Sequence, residues 1–443
     1  MTNSISQKFT LTSLFRFSLP SILMLILTSL YTAVDGVFVS RFVGSDALSA
    51  INILLPLDSI IIGLSIMFGT GGSAIIGFKL GAGREQEAKE NFALITITAI
   101  VTGAVVTVLF VLFLPSVIPM LGASDRLFPY CTDYGYILVL FAVPYILQVM
   151  FNSLFITAGK PNLALAVTAI AGVMNLGLDY LFIVIFKMGI SGAAWGTALS
   201  RAFGGLFPVI YFMVNKKGLH FCRPKPDWKV IGRTITNGSS EMVSNIASGV
   251  TTFLFNITMM KLSGEDGVAA MTIVLYTQFI YSSVYFGFSN SCAPVISYNY
   301  GSGNTLHLKK LFRYCLFIIG GSTVLMLGLS FFAARPLIAL FTPAETSVFP
   351  LAYHGYVIFI WNFLFAGINV FASSLFSAFS NGGISALISF LRTFVFIIGS
   401  LMTLPSFLGV DGLWLAVPVA EALTCFIAVP LMLIYGKRTY SYL

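Results

Sequence analysis

The sequence predicts an all-α integral membrane protein with twelve transmembrane helices, arranged as two six-helix lobes related by a parallel internal repeat. Three observations predict it. Of the 443 residues, 57% are hydrophobic and only 9% are charged, against about 25% charged in soluble domains. Apolar runs long enough to cross ~30 Å of hydrocarbon as helices recur along the whole chain. These runs are continuous rather than ten-residue alternations, so the backbone pairs within helices and not in a closed barrel. The third observation is a repeat at an offset of 220 residues.

In chain order the spans fall near 14–39, 50–77, 93–118, 133–157, 162–186, 190–214, 234–260, 267–294, 311–333, 349–376, 384–405 and 410–435. The first run has no small-residue cleavage site before Asp35 and reads as a retained span, not a signal peptide. Residues 1–214 form the expected N-lobe and 234–443 the C-lobe. Between them, NKKGLHFCRPKPDWKVIGR (215–233) is the only polar linker of any length. Of the 24 Lys and Arg, 17 fall on the side of the termini and this linker, 5 fall opposite, and Arg201 and Arg392 lie inside spans. That bias puts both termini and the linker in the cytoplasm. The net charge of +8 then reflects topology, and no nucleic-acid partner is expected. The linker reads as an anchor and hinge.

The repeat is specific. GSDALSA (44–50) matches GEDGVAA (264–270), and IGFKLGAGREQEAKENF (76–92) matches ISYNYGSGNTLHLKKLF (296–312). Across 44–92 against 264–312 there are 12 identities in 49 positions without a gap, against roughly 4 expected from so biased a composition. Further on, ISGAAWG (190–196) aligns with VDGLWLA (410–416). Each half has an even number of spans, so both enter from the same side and the repeat is parallel. The pairs Gly81/Gly83 and Gly301/Gly303 occupy matching loops and suit helix C-terminal turns better than a phosphate loop, because no GxxG or GK[ST] follows.

Against this symmetric scaffold the intramembrane acids are asymmetric. Asp35 in span 1 corresponds to Phe255, Asp179 in span 5 to Gly399 or Ser400, and Thr197 in span 6 to Val417. Six residues separate Asp35 from Arg41, and eight separate Asp179 from Lys187. At 1.5 Å per residue the acids therefore lie about 9 and 12 Å from the same membrane face. Asn175 is one turn deeper than Asp179, Tyr31 is one turn from Asp35, and Thr197 reaches a similar depth. Two carboxylates with amide, hydroxyl and phenol oxygens suit a hard cation or a shared proton. Na⁺ would bind at Asp35, Asn175, Asp179 and Thr197. Pro20, 15 residues before Asp35, removes one backbone bond and allows a bend in span 1.

Other polar residues are weaker candidates for the cavity or a substrate contact: Glu241 in span 7, Asp58 and its repeat mate Gln278, and Arg201 with its mate Glu421. An ion pair within or between lobes is the plainer expectation for Arg201, Arg392 and Glu421. The five cysteines form no CxxC and read as small apolar residues, and no cofactor or structural metal is expected. An intramembrane aspartyl protease needs GxGD, whereas the acids here read AVDGV and GLDYL. His220 and His307 are loop residues and His354 lies near a span end, so the chain reads as a secondary transporter and not an enzyme.

Leu19-Pro20 followed by Asp35, NLGLDY (175–180) and GAAWGTALS (192–200), set in twelve spans, resemble the MATE (multidrug and toxic compound extrusion) transporters over essentially the full length. The resemblance implies an N-lobe cation site at Tyr31, Asp35, Asn175, Asp179 and Thr197, and a bend at Pro20. Span 10 (353–376) has no acid, and Glu241 is the repeat mate of Ser21, so the chain is closer to the branch that couples through the N-lobe alone. It implies a monomeric antiporter in a prokaryotic plasma membrane, exporting amphipathic, often cationic small molecules in exchange for H⁺ or Na⁺. The alternative is a lipid-linked saccharide flippase of the same superfamily. That function calls for several embedded cations to hold a pyrophosphate, and only two Arg are embedded here.

Overall fold

The computed structural model describes residues 4–339 and 341–443. Twelve membrane-length helical units follow one another: α1 (Leu11–Phe42), α2 (Ser45–Gly81), α3 (Glu85–Met120), α4 (128–157), α5 (Pro161–Ile185), α6 (Gly189–Val214), α7 (228–263), α8 (265–301), α9 (Thr305–Ala339), α10 (Val348–Ala378), α11 (Gly382–Leu408) and α12 (Val410–Arg438). Among the described residues there is no strand. Helix α7 runs into α8 with a break only at Gly264, whose φ of 65° and ψ of −153° end one helix and start the next. Helix α4 bends by 57° at Phe141.

The 220-residue offset reaches helix termini and turn conformations. Gly44, Gly83 and Gly189 have φ of 124°, 74° and 61°; their mates Gly264, Gly303 and Gly409 have 65°, 68° and 58°. These left-handed positions reject a Cβ, which is why the turn glycines recur in both halves. The register slips once. Gly159 takes positive φ before α5, but its counterpart before α11 is Ser380, one residue later than the offset predicts. Asp179 therefore aligns with Ser400 when counted from the start of the helix and with Gly399 when counted from Gly409.

The hydrophobic side chains form two buried clusters in each half. At the basic side the halves exchange their first turns. Phe9, Leu14 and Phe17 pack with Phe288, Leu311 and Phe312 of the second half. Val230 of α7 packs with Phe92 and Phe151 of the first. The linker is docked rather than loose. Phe221 lies 4.8 Å from the Phe92 ring centre, and Lys225 pairs with Glu90 at 2.9 Å, which raises the Lys225 pKa. The five cysteines are all free.

Small residues allow the halves to close on the basic side. Ser297 Oγ donates to the Ala74 carbonyl at 2.6 Å. A methyl group at Gly71 would overlap the Thr234 carbonyl oxygen; one at Gly81 would overlap that of Tyr298, and one at Gly301 that of Phe78. Along the same α2–α7 seam the fit loosens toward the opposite face. A methyl at Gly63 would sit 3.1 Å from Met242 Cγ, whereas one at Gly249 would meet nothing nearer than Ser59 Oγ at 3.9 Å. Convergence on the basic side and divergence on the other make the interlobe space a cleft.

Candidate functional site

Four helices of the first half, α1, α4, α5 and α6, build the site. Asp35 on α1 and Asp179 on α5 are neighbours, close enough for each carboxyl to act on the other. Among the described residues, Asp35 Oδ1 and both Asp179 oxygens have no donor. Asp179 is fully buried, and Gly196 of α6 makes the room for it: a side chain there would occupy the position of Asp179 Oδ1. One turn back along α5, Asn175 Nδ2 donates to Thr197 Oγ1 of α6 at 3.5 Å, a long contact between two buried groups. Tyr31 lies flat against Gly172, where a Cβ would be 3.0 Å from its ring. Tyr31, Asp35, Asn175, Asp179 and Thr197, which depth along the spans had grouped, are thus neighbours across α1, α5 and α6.

Helix α5 is irregular where this matters. Immediately after Asp179 it widens into a π-helical stretch, Tyr180–Ile185, and α11 does the same at Leu391–Ile397, which contains Arg392. Widened turns are a common device for re-aiming side chains at functional sites. No composition signal in either stretch foretold it. Pro20 lies within α1, which stays helical throughout. Its missing N–H leaves the Arg16 carbonyl without an i+4 donor.

Two residues of the site escaped the sequence reading. Tyr134 on α4 is buried and reaches the Thr197 hydroxyl. Tyr145, after the bend in α4, lies under the Arg201 guanidinium at 3.6 Å from ring centre to Cζ. With 18 Tyr spread along the chain, nothing in the sequence distinguishes these two.

The weaker candidates need correction. Arg201 on α6 grips Asp58 of α2 with both arms, at 2.9 and 3.2 Å. Both Asp58 oxygens are thereby engaged, near Tyr31. Glu421, proposed as a cavity residue, is 1% exposed and locked by Arg392 at 2.6 Å and Asn369 at 2.7 Å. Its chemistry is structural. Each half thus neutralises its own embedded arginine, and the expected ion pairing is within lobes, with partners the repeat did not reveal. Gln278 is half-buried on α8, away from these bonds. Glu241, a cavity candidate, lines a small pocket at the basic-side closure.

Two pseudo-symmetric helical bundles, with unpartnered carboxylates buried in one of them, define a polytopic membrane protein. The MatE family model matches the chain twice, over residues 20–181 and 242–402, once in each half. This chain belongs to the MatE family. Similar proteins include the multidrug export protein MepA of Staphylococcus haemolyticus, 24% identical over 96% of this chain and 93% of that one. MepA of Staphylococcus aureus is also 24% identical, over 96% and 94%. Among solved structures, MATE in complex with MaL6 superposes with a TM-score of 0.92 at 20% identity, covering 100% of this chain and 99% of that one. An outward-facing multidrug resistance MATE transporter of the MOP superfamily gives 0.90 at 20% identity, covering 97% and 96%.

Proposed function

We propose that this chain is a cation-coupled antiporter that exports amphipathic, often cationic small molecules by alternating access between its two lobes. The observation that carries the reading is the neighbouring pair Asp35 and Asp179, with three oxygens lacking a donor inside a membrane. Two carboxylates this close and this buried hold both charges only at a large cost, which one H⁺ or Na⁺ removes. Asn175, Thr197 and Tyr31 supply neutral oxygens around them. Export of several drugs follows from the kinship with the Staphylococcus multidrug export proteins.

In this mechanism a cation entering from the open face binds the carboxylate pair, neutralises it, and lets α1 repack around Pro20. The cleft loses its substrate, and the empty, cation-loaded carrier resets toward the basic side. With that side cytoplasmic, as the Lys and Arg bias requires, the seam of Gly71, Gly81 and Gly301 is the inner gate and the conformation is outward-facing. The carrier works as a monomer in a prokaryotic plasma membrane. A lipid-linked saccharide flippase is not favoured, because Arg201 and Arg392 are spent on Asp58 and Glu421, which leaves no unpaired embedded arginine among the described residues to hold a pyrophosphate.

The test is drug efflux from proteoliposomes with ΔpH and ΔNa⁺ imposed separately. Wild-type protein is expected to respond to at least one gradient. Asp35→Asn is expected to lose the response while still folding. Full gradient-driven transport by Asp35→Asn would sink the proposal.

A further inference from the structure

At the basic-side closure the two halves together enclose a pocket with room for about one water-sized particle. Thr70, Ser73 and Ala74 of α2 and Ser153 of α4 line it from the first half. Glu241 of α7, with Asn290, Ser374 and Ser377 from α8 and α10, closes it from the second. Thr70 and Asn290 are repeat mates, so the pseudo-twofold axis passes through the pocket.

Its chemistry is one-sided. Among the described residues Glu241 forms no ion pair, and the only cation acting on it, Arg392, is already bound to Glu421. Three of the hydroxyls nearby spend their protons on backbone carbonyls. Thr70 donates to the Ile66 carbonyl at 2.9 Å, Ser374 to that of Ser289 at 3.2 Å, and Ser377 to that of Asn237 at 3.0 Å. Each therefore turns lone pairs, not a proton, to its remaining neighbours. Ser73 is 4% exposed and its Oγ has no partner. Ser73 keeps a free proton and Asn290 an amide N–H pair, but neither brings a positive charge, so the carboxylate lacks a counter-ion that a small hard cation supplies.

We propose that this pocket is a second cation site, holding one Na⁺-sized ion by Glu241 with Ser73 and the surrounding hydroxyl and amide oxygens. Oxygens from both lobes meet only when the basic side is closed, so the bound ion stabilises that closed state. The site is separate from Asp35 and Asp179 and stands or falls without them.

The experiment uses the purified full chain carrying Asp35→Asn and Asp179→Asn, so that the N-lobe carboxylates hold no ion. Equilibrium binding of ²²Na⁺ is expected to saturate near one ion per chain. It should weaken at least tenfold on adding Glu241→Gln and measurably on adding Ser73→Ala. As a second readout, NaCl in place of choline chloride should raise the unfolding temperature of this background but not of its Glu241→Gln derivative. A Glu241→Gln chain that unfolds normally in choline shows that lost binding is not lost folding. Equal ²²Na⁺ binding with Glu and Gln at 241, or no saturable binding up to 0.1 M Na⁺, overturns the proposal. Uptake of a proton alone, without Na⁺ binding, overturns it too.

Discussion

Replacing Glu421 with Gln tests how the second half carries its embedded charge. Arg392 donates to Glu421 Oε1 from Nε at 2.8 Å and from Nη2 at 2.6 Å, and Asn369 Nδ2 donates to Oε2 at 2.7 Å. The glutamate side chain is 1% exposed and the arginine 14%. With so little water available, the guanidinium of Glu421→Gln keeps its charge and loses its counter-ion, which costs about 3–5 kcal/mol. At roughly 2–4 °C per kcal/mol for a large domain, the unfolding temperature should fall by about 6–20 °C. The double variant Arg392→Met/Glu421→Met removes both charges and fills similar volume, so it should recover to within about 1 kcal/mol of wild type. The assay is a thermal-stability series in detergent, monitored by size exclusion and read as a double-mutant cycle. Single variants as stable as wild type, or a double variant as poor as the sum of the singles, would refute the reasoning.

Gly196→Ala should displace the Asp179 carboxylate that its missing Cβ accommodates; gradient-driven efflux is expected to drop at least tenfold in proteoliposomes while expression is retained. Gly71→Ala acts on the closed seam alone. Overlap with the Thr234 backbone should cost about 1–3 kcal/mol, shifting the lobes roughly 5- to 150-fold toward opening on the basic side. Spin labels at Gln86→Cys and Leu306→Cys, with the five native cysteines replaced, should report a longer distance. Phe221→Ala should loosen the linker by roughly 2–3 kcal/mol, because the ring packs against Phe92 and Phe151. Lys225→Met removes an exposed lysine from Glu90, which keeps its bond from Gln86, so limited proteolysis across 215–227 should accelerate more for the first variant than for the second.

Much of the protein was legible without coordinates, for reasons that are local. Hydrocarbon requires helices and water requires loops, so the apolar runs located twelve spans, most of whose helices extend a few residues further at one or both ends. Turn glycines must recur wherever the backbone turns left-handed, so the repeat could be counted residue by residue. A carboxylate in a membrane is costly enough that its presence in one half only marked Asp35 and Asp179, and helical rise placed them at one depth. Tertiary structure decided which side chains meet. Helical periodicity gives depth and face but not partner, so it could not show that Arg201 takes Asp58 or that Glu421 takes Arg392. Nor could it show that Tyr134 and Tyr145 join the site. The widened turn beside Asp179 packs against α6, and the pocket at Glu241 exists only where five helices of two lobes come together. Sequence set the helices and the depth of each charge; only close packing, acting between residues far apart in the chain, assigned each charge its neighbour.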